Sequence, residues 1–365
     1  MQLRKAGNAY RPSADDPIPF DEISGIGIEA FDMLNGSDNH CGVYKIQGYI
    51  DDNLFFDCCL DEISFAETRY VKSFMDYKFY LSNRKAILKL FIDPNNQGTI
   101  YRFARNRGRI EFKDKKVYKI KIIVEDAAGN QSAALFNARL DASKFRHDPD
   151  FVPVYNAYFS FQESNSFKTD GLEVTLPPGA LYDDLYFDYS ASEARPGSYS
   201  PLHQIHHPDV PLQLFYRLAI EATNLPENLK TKAVIAEYLG NNKYNCIGGA
   251  WEGNWLVTRT RNFGSFCILV DTVKPIITPM NFSTAAELKS LNNIKFTIKD
   301  NLSGIQSYRG EIDGKWILLE YDLKSSSLEY HFDAQRIKTG IQHKMVIRIA
   351  DQLSNTNSYT ISFFR

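Results

Sequence analysis

Two strands far apart in the chain end in the same kind of turn, and that repetition narrows the fold more than any other feature. Val124-Glu125 runs into Asp126-Ala127-Ala128-Gly129-Asn130, and Ile349-Ala350 runs into Asp351-Gln352-Leu353-Ser354-Asn355, with the same four-residue step from Asp to Asn. Gly and Asn tolerate positive φ, so tight hairpin turns are expected at both places. Upstream the match continues. A strand is expected to end at Asp32 and again at Asp300, and a Gly follows a polar turn at Gly42 and again at Gly304. An alternating strand then ends in Ile50-Asp51 or Ile312-Asp313, nine residues past that Gly. One β fold used twice accounts for this, with residues 60–108 as an insertion in the first copy. Roughly seven short strands per copy predict immunoglobulin-like β-sandwiches, without the Cys…Trp…Cys signature of true immunoglobulin domains.

Composition agrees with a mainly β chain and removes several function classes. Aromatic residues make up 13%, with Phe 25 and Tyr 21, and β-branched residues accompany them in short runs, which favours sheet. The 365 residues hold two or three domains at roughly 150 residues each. Lys+Arg of 42 against Asp+Glu of 44 leaves a net charge of −2, so no charge excess is available for a polyanion and a nucleic-acid partner is not expected. Apolar runs such as Cys267 to Val270 are far shorter than the roughly 20 residues of a membrane span, so the chain is not expected to be membrane-spanning. The five Cys match no metal spacing and form no even disulfide framework; buried small side chains are the expected role. Met1-Gln2-Leu3-Arg4-Lys5 is followed by Ala6-Gly7-Asn8-Ala9 rather than by an apolar run, so no signal peptide is read in this chain.

The expected domains are a lead-in segment over 1–19, an Ig-like sandwich over 20–141 with a helical insertion at about 60–108, a linker over 142–153, a β domain over 154–271 and a second Ig-like sandwich over 272–365. Alternation at Ile26, Ile28 and Ala30 and from Val43 to Ile50, with Asn35-Gly36-Ser37 between, predicts two antiparallel strands. Ser64-Phe65-Ala66-Glu67 fits a capping box, and Tyr70, Phe74, Tyr77 and Leu81 fall at helical offsets. One helix over Ser64–Leu81, packed on the first sandwich, follows. His147-Asp148-Pro149-Asp150 breaks periodicity and marks the linker. The middle domain shows strands at Leu172–Leu176, Leu214–Ile220, Ala233–Tyr238 and Phe266–Val270.

Chemistry-bearing patterns are sparse. His203-Gln204-Ile205-His206-His207 is the densest set of potential ligands, but no second constellation completes a zinc site, and Pro201, Pro208 and Pro211 predict a loop. The strand-end carboxylates Asp32, Asp51, Asp126, Asp300, Asp313 and Asp351 fit turn chemistry, or calcium if they converge at sandwich edges; no dense D-x-D-x-D loop is present. Asp183-Asp184 and Asp51-Asp52 are strand neighbours facing opposite ways, unsuited to paired acid–base work. No Gly-x-Ser-x-Gly, P-loop or dinucleotide fingerprint occurs. Trp251 and Trp255, with Tyr244, form a possible ligand-binding set: two indoles at period two could stack on a sugar, or could fill a core or rim. No catalytic and no metal-binding residue is assigned.

The strings Gly25-Ile26-Gly27-Ile28-Glu29-Ala30-Phe31-Asp32-Met33-Leu34-Asn35-Gly36-Ser37-Asp38-Asn39 and Cys41-Gly42-Val43-Tyr44 resemble the carboxy-terminal β region of secreted zinc peptidases of the lysostaphin/LytM type. The likeness continues through Phe65-Ala66-Glu67-Thr68-Arg69-Tyr70, Asp76-Tyr77, Asp93-Pro94-Asn95-Asn96, the Asp126-to-Asn130 turn and His203-to-Pro211, and so covers nearly the whole chain. Leu176-Pro177-Pro178-Gly179-Ala180-Leu181 and Phe263-Gly264-Ser265-Phe266 are similar to ZU5-like β modules. The resemblance implies a zinc domain upstream with a His-x₃-Asp and a His-x-His site. This chain has neither, so it implies no cofactor and no peptide-bond hydrolysis here. It implies a non-catalytic region that positions or regulates peptidoglycan hydrolysis in the cell envelope, periplasmic or secreted, with peptidoglycan or envelope proteins as partners. A stand-alone secreted glycan- or protein-binding protein is the alternative.

Overall fold

The computed structural model describes residues 2–13, 17–34, 36, 38–145, 154–333 and 335–365. The chain is mainly β, with 49% strand and 8% helix. Tandem Ig-like sandwiches flank a middle β domain, and each of the three has its own apolar core.

The first domain is built on an eight-stranded sheet. Its centre is Lys45–Ile50 between Asn53–Cys59 and Val117–Glu125, with Gln131–Leu140 beyond. Alternation puts Ile46, Ile50, Ile120, Ile122, Phe136 and Ala138 on the buried face. The opposing layer is fragmentary: Gly27–Glu29 pairs with Ile87–Lys89, Ile23–Ser24 pairs with Ile110–Glu111, and short helical turns fill the rest. In the third domain two four-stranded sheets enclose Ile294, Phe296, Ile298, Ile312, Met345, Ile347 and Phe363.

The repeat is visible in the pairing. Ile305–Ile312 lies between Lys315–Ile317 and Gln342–Asp351, and Thr356–Phe364 follows. Asp51 and Asp313 occupy the same corner, at φ 46° and 50°. The Asp51 amide donates to the Lys119 carbonyl at 2.9 Å, and the Lys119 amide returns a bond to Asp51 Oδ1 at 2.9 Å. Asp313 and Lys344 make the same exchange at 2.9 and 2.8 Å. The late turns match as well: Asp126 accepts from the amides of Ala128 and Asn130 and from Asn130 Nδ2, while Asp351 accepts from those of Leu353 and Asn355 and from Asn355 Nδ2.

The middle domain packs two five-stranded sheets face to face. Leu172–Leu176, Tyr216–Glu221 and Trp255–Thr260 lie in one, and Leu202–Ile205, Ala233–Tyr238 and Gly264–Val270 in the other. Ala233–Tyr238 is buried over its first five residues rather than alternating, as expected where both faces are covered.

Several local expectations differ. The lead-in is part of the sheet: Leu3–Ala6 and Ala9–Pro12 form a hairpin whose Tyr10 pairs with Ala134. The strand near residue 28 pairs with Ile87–Lys89 rather than with residues 43–50, whose hairpin partner is Asn53–Cys59. The single helix is replaced by a Thr68–Tyr70 turn, Val71–Phe74 and Tyr77–Asn83. Met75 is extended at ψ 160° and bridges to Leu88, so the helix breaks there and Asp76 caps a new one by accepting from the Phe79 amide at 2.9 Å. Glu67 turns away from a capping box to take both the amide and hydroxyl of Thr99. Asn35 and Ser37 of the expected turn, and 146–153 of the expected linker, lie outside the described residues.

Candidate functional site

Buried polar side chains mark both junctions between domains, Asn95 at the first and Asp271, Ser303, Asp351 and Asn355 at the second. In the first, the insertion's Asp93-Pro94-Asn95-Asn96 loop reaches the middle domain. The Asn95 amide donates to the Tyr182 carbonyl at 2.9 Å, and Asn95 Nδ2 donates to the carbonyls of Gly179 at 2.9 Å and Leu181 at 2.7 Å. Arg69 extends from the helical turns to donate to the Leu212 carbonyl at 2.8 Å and the Arg261 carbonyl at 3.1 Å. The Tyr182 hydroxyl lies 2.6 Å from Gln213 Oε1 and 3.0 Å from the Arg69 carbonyl. Burial raises its pKa, so it remains a neutral donor.

The second junction joins the strand ending at Val270 to the third domain. Val234, Ala236, Cys267 and Leu269 meet Leu302 and Leu353. Around this apolar contact, Asp271 Oδ2 accepts from the Ser303 amide at 3.0 Å, and Asn355 Nδ2 donates to the Asp271 carbonyl at 2.9 Å and to Asp351 Oδ2 at 2.7 Å. Asn357 Nδ2 donates to the Pro275 carbonyl at 2.8 Å. Asp271 and Asp351 are completely buried, and one carboxylate oxygen from each of Asp271, Asp300 and Asp351 lies within 4.8 Å of the others. Of the strand-end carboxylates singled out from sequence, only Asp300 and Asp351 converge; Asp271 joins them from the connector.

The expected aromatic site is not assembled. Trp251 pairs across its hairpin with Leu256, and Trp255 pairs with Glu252. Directly opposed residues share a face, so the indoles point to opposite sides of the sheet. Trp251 packs on the core and donates Nε1–H to the Lys230 carbonyl at 2.8 Å, whereas Trp255 sits under the Lys168 ammonium on the outer side. Tyr244 lies in the other sheet, against Tyr238.

The histidine run is likewise built into the fold rather than into a loop. His203 is within Leu202–Ile205, with Nδ1 2.9 Å from the Tyr189 hydroxyl, and His206 is buried in the following turn at φ 48°. The Asp188 amide donates to His206 Nδ1 at 3.2 Å, which places the ring proton on Nε2. Desolvation pushes both rings down to about 4; for His206 the neighbouring His207 adds to the fall, and Asp188 and Asp209 oppose it. His207 Nε2 lies 3.5 Å from Asp188 Oδ2, giving a second, more open trio of Asp188, His206 and His207. Asp184 accepts from the Tyr158 hydroxyl and the Phe161 amide, which fixes a corner. All five cysteines are free, and burial drives the Cys58 thiol up to about 12, leaving it unreactive.

On the third domain, Lys274, Arg309, Arg348, Tyr308 and Trp316 line a shallow groove of about 740 Å³. Glu311 holds Arg309 at 2.8 Å and Arg348 at 3.1 Å.

No curated protein matches the chain. Among solved structures, protocadherin gamma B7 extracellular cadherin domains 1–4 are similar over 69% of this chain and 84% of that one, at 12% identity and a TM-score of 0.19. A 1.5-MDa bacterial ice-binding adhesin is similar over 90% of this chain and 87% of that one, at 9% identity and a TM-score of 0.18. Residues 156–271, the span of the middle domain, match the Zu5-like domain family.

Proposed function

We propose that this chain is a non-catalytic array of β domains that holds the modules it joins at a fixed spacing, within a cell-envelope peptidase of the lysostaphin/LytM type acting on peptidoglycan. One observation carries the spacer part: both junctions are closed by buried polar side chains, Asn95 at the first and Asp271 with Asn355 at the second. Such bonds are directional, and breaking them strands buried carbonyls, so they resist hinge motion more than an apolar contact alone does. The peptidase part rests on the sequence resemblance, in which the zinc chemistry belongs to an upstream domain.

Small-angle scattering tests the spacer. A single rigid arrangement of the three domains should account for the wild-type curve, and Asn95→Asp should loosen it. A wild-type curve that only a broad ensemble can fit overturns the reading. A zinc-ligand domain encoded in frame or immediately upstream supports the peptidase part, and a gene neighbourhood without one removes it.

The groove beside Trp316 favours the alternative of a glycan- or protein-binding surface, because that indole is 50% exposed among arginine side chains. Retention on peptidoglycan sacculi that is lost in Trp316→Ala supports it; no retention removes it.

A further inference from the structure

We infer that Asp271, Asp300 and Asp351 hold a calcium ion between the middle and third domains. The three carboxylates come from separate segments: the connector after Val270, the turn after Lys299 and the end of Gln342–Asp351. One oxygen from each lies within 4.8 Å of the other two. Calcium binds oxygen at 2.3–2.6 Å, so oxygens sharing one ion lie no more than about 5 Å apart. The cluster meets that limit.

A second observation separates this cluster from an ordinary acidic turn. Asp300 Oδ2 accepts from the amides of Leu302 at 3.0 Å and Gly304 at 2.8 Å, but Asp300 Oδ1 is buried and has no hydrogen-bond partner. A buried carboxylate oxygen without a donor is costly unless a cation satisfies it. None of the three carboxylates forms an ion pair among the described residues. Lys232 at this junction donates instead to the Leu353 carbonyl. Asp271 and Asp351 are completely buried, whereas Asp300 is partly exposed and leaves a way in from solvent.

The first domain supplies the contrast. Asp126 makes the same turn as Asp351, but Asn130 is exposed where Asn355 is buried, and among the described residues Asp126 belongs to no cluster of potential ligands. The turn therefore does not create the site; the arrival of Asp271 and Asp300 beside it does. All-oxygen, triply anionic ligation suits a hard divalent cation, and an irregular set drawn from three loops suits calcium better than magnesium, which demands near-octahedral geometry.

The inference deepens the spacer reading by naming what stiffens one junction, and the two fail separately. Isothermal calorimetry of the chelator-stripped chain with CaCl₂ should show one ion per chain, and calcium should raise the unfolding temperature. Asp300→Asn should weaken binding at least about tenfold while leaving the circular dichroism unchanged, because the Asn oxygen can still accept from Leu302 and Gly304. Asp126→Asn should leave calcium binding intact. No heat and no thermal shift at millimolar calcium, binding unaltered by Asp300→Asn, or equal affinity for MgCl₂ overturns the inference. A chain that is rigid by scattering and binds no calcium sinks it and leaves the spacer standing.

Discussion

Acidification should unfold the middle domain first, through His203 and His206. Both rings are buried, at 1% and 5% exposure, and desolvation lowers both from 6.5 to about 4. Between those values the unfolded chain binds protons that the folded chain refuses, so stability is full above about 6.5 and falls as the pH drops toward 4. From pH 7 to pH 5 the loss is about 2 kcal/mol per ring and about 4 kcal/mol for the pair. That is a large part of the roughly 5–15 kcal/mol that holds a domain folded. His343 in the third domain works the other way. Burial opposes its charge, but the Lys338 carbonyl and the Asp313 carboxylate outweigh burial and raise its pKa. Its contribution is complete below about 6.5 and is lost as the pH rises through the folded value. Urea unfolding of the Trp316→Phe chain at pH 7 and pH 5, followed by the fluorescence of Trp251 and Trp255, should show the midpoint of the middle domain falling, and adding His203→Gln should remove about half of the pH effect. Ring proton resonances assigned to His203 and His206 that titrate near 6.5 in the folded chain, or a midpoint equal at the two pH values, would refute the reasoning.

Three further outcomes check the packing. Phe74, 2% exposed in the first core, should cost about 3–5 kcal/mol when replaced by Ala, read as a lower urea midpoint at unchanged slope. Gly108 sits at φ +81° with the Leu90 carbonyl oxygen 2.2 Å from where a Cβ would lie, so Gly108→Ala should cost at least about 3 kcal/mol by the same assay. Trp251→Phe should cost about 1–2 kcal/mol through the lost bond to the Lys230 carbonyl, while Trp255→Phe should stay within about 0.5 kcal/mol; equal costs would contradict their placement on opposite faces.

What could be read from sequence is what depends on neighbours along the chain. Alternation located most of the long strands, and the Asp126 and Asp351 turns are local networks closed within five residues. Interactions that depend on a distant partner were not readable. Nothing near residue 28 specifies Ile87–Lys89 as its partner, yet that pairing displaces the expected hairpin. The spacing from Tyr70 to Leu81 predicts one helix, but Met75 gives up helix geometry to bridge Leu88, and of the stripe only Phe74 is buried. The period-two reading of Trp251 and Trp255 failed for a local reason: Gly253, at φ +61°, turns a hairpin between them, so counting along one strand assigns the wrong face. Asp271 read as connector because its partners lie 32 and 84 residues away in sequence.

The two Asp-led turns show how one local motif takes on different roles. Each copy uses its Asp to satisfy backbone amides at the end of a hairpin, which explains the shared Asp-to-Asn spacing without any ligand. In the first copy the turn faces outward, with residues 127–130 exposed. In the third domain the same turn abuts the end of the middle domain, so Asn355 is buried and spends its two amide protons on the Asp271 carbonyl and on Asp351 Oδ2. Burial there brings two carboxylates close to a third. Asp271 cannot be relieved by turning toward water, because its oxygens already accept from the amides of Val273 and Ser303. The carboxylate cluster is thus a consequence of docking one copy of a repeated hairpin against the middle domain, and changes that undock the third domain should release it. Changes confined to the Asp126 turn should leave it intact.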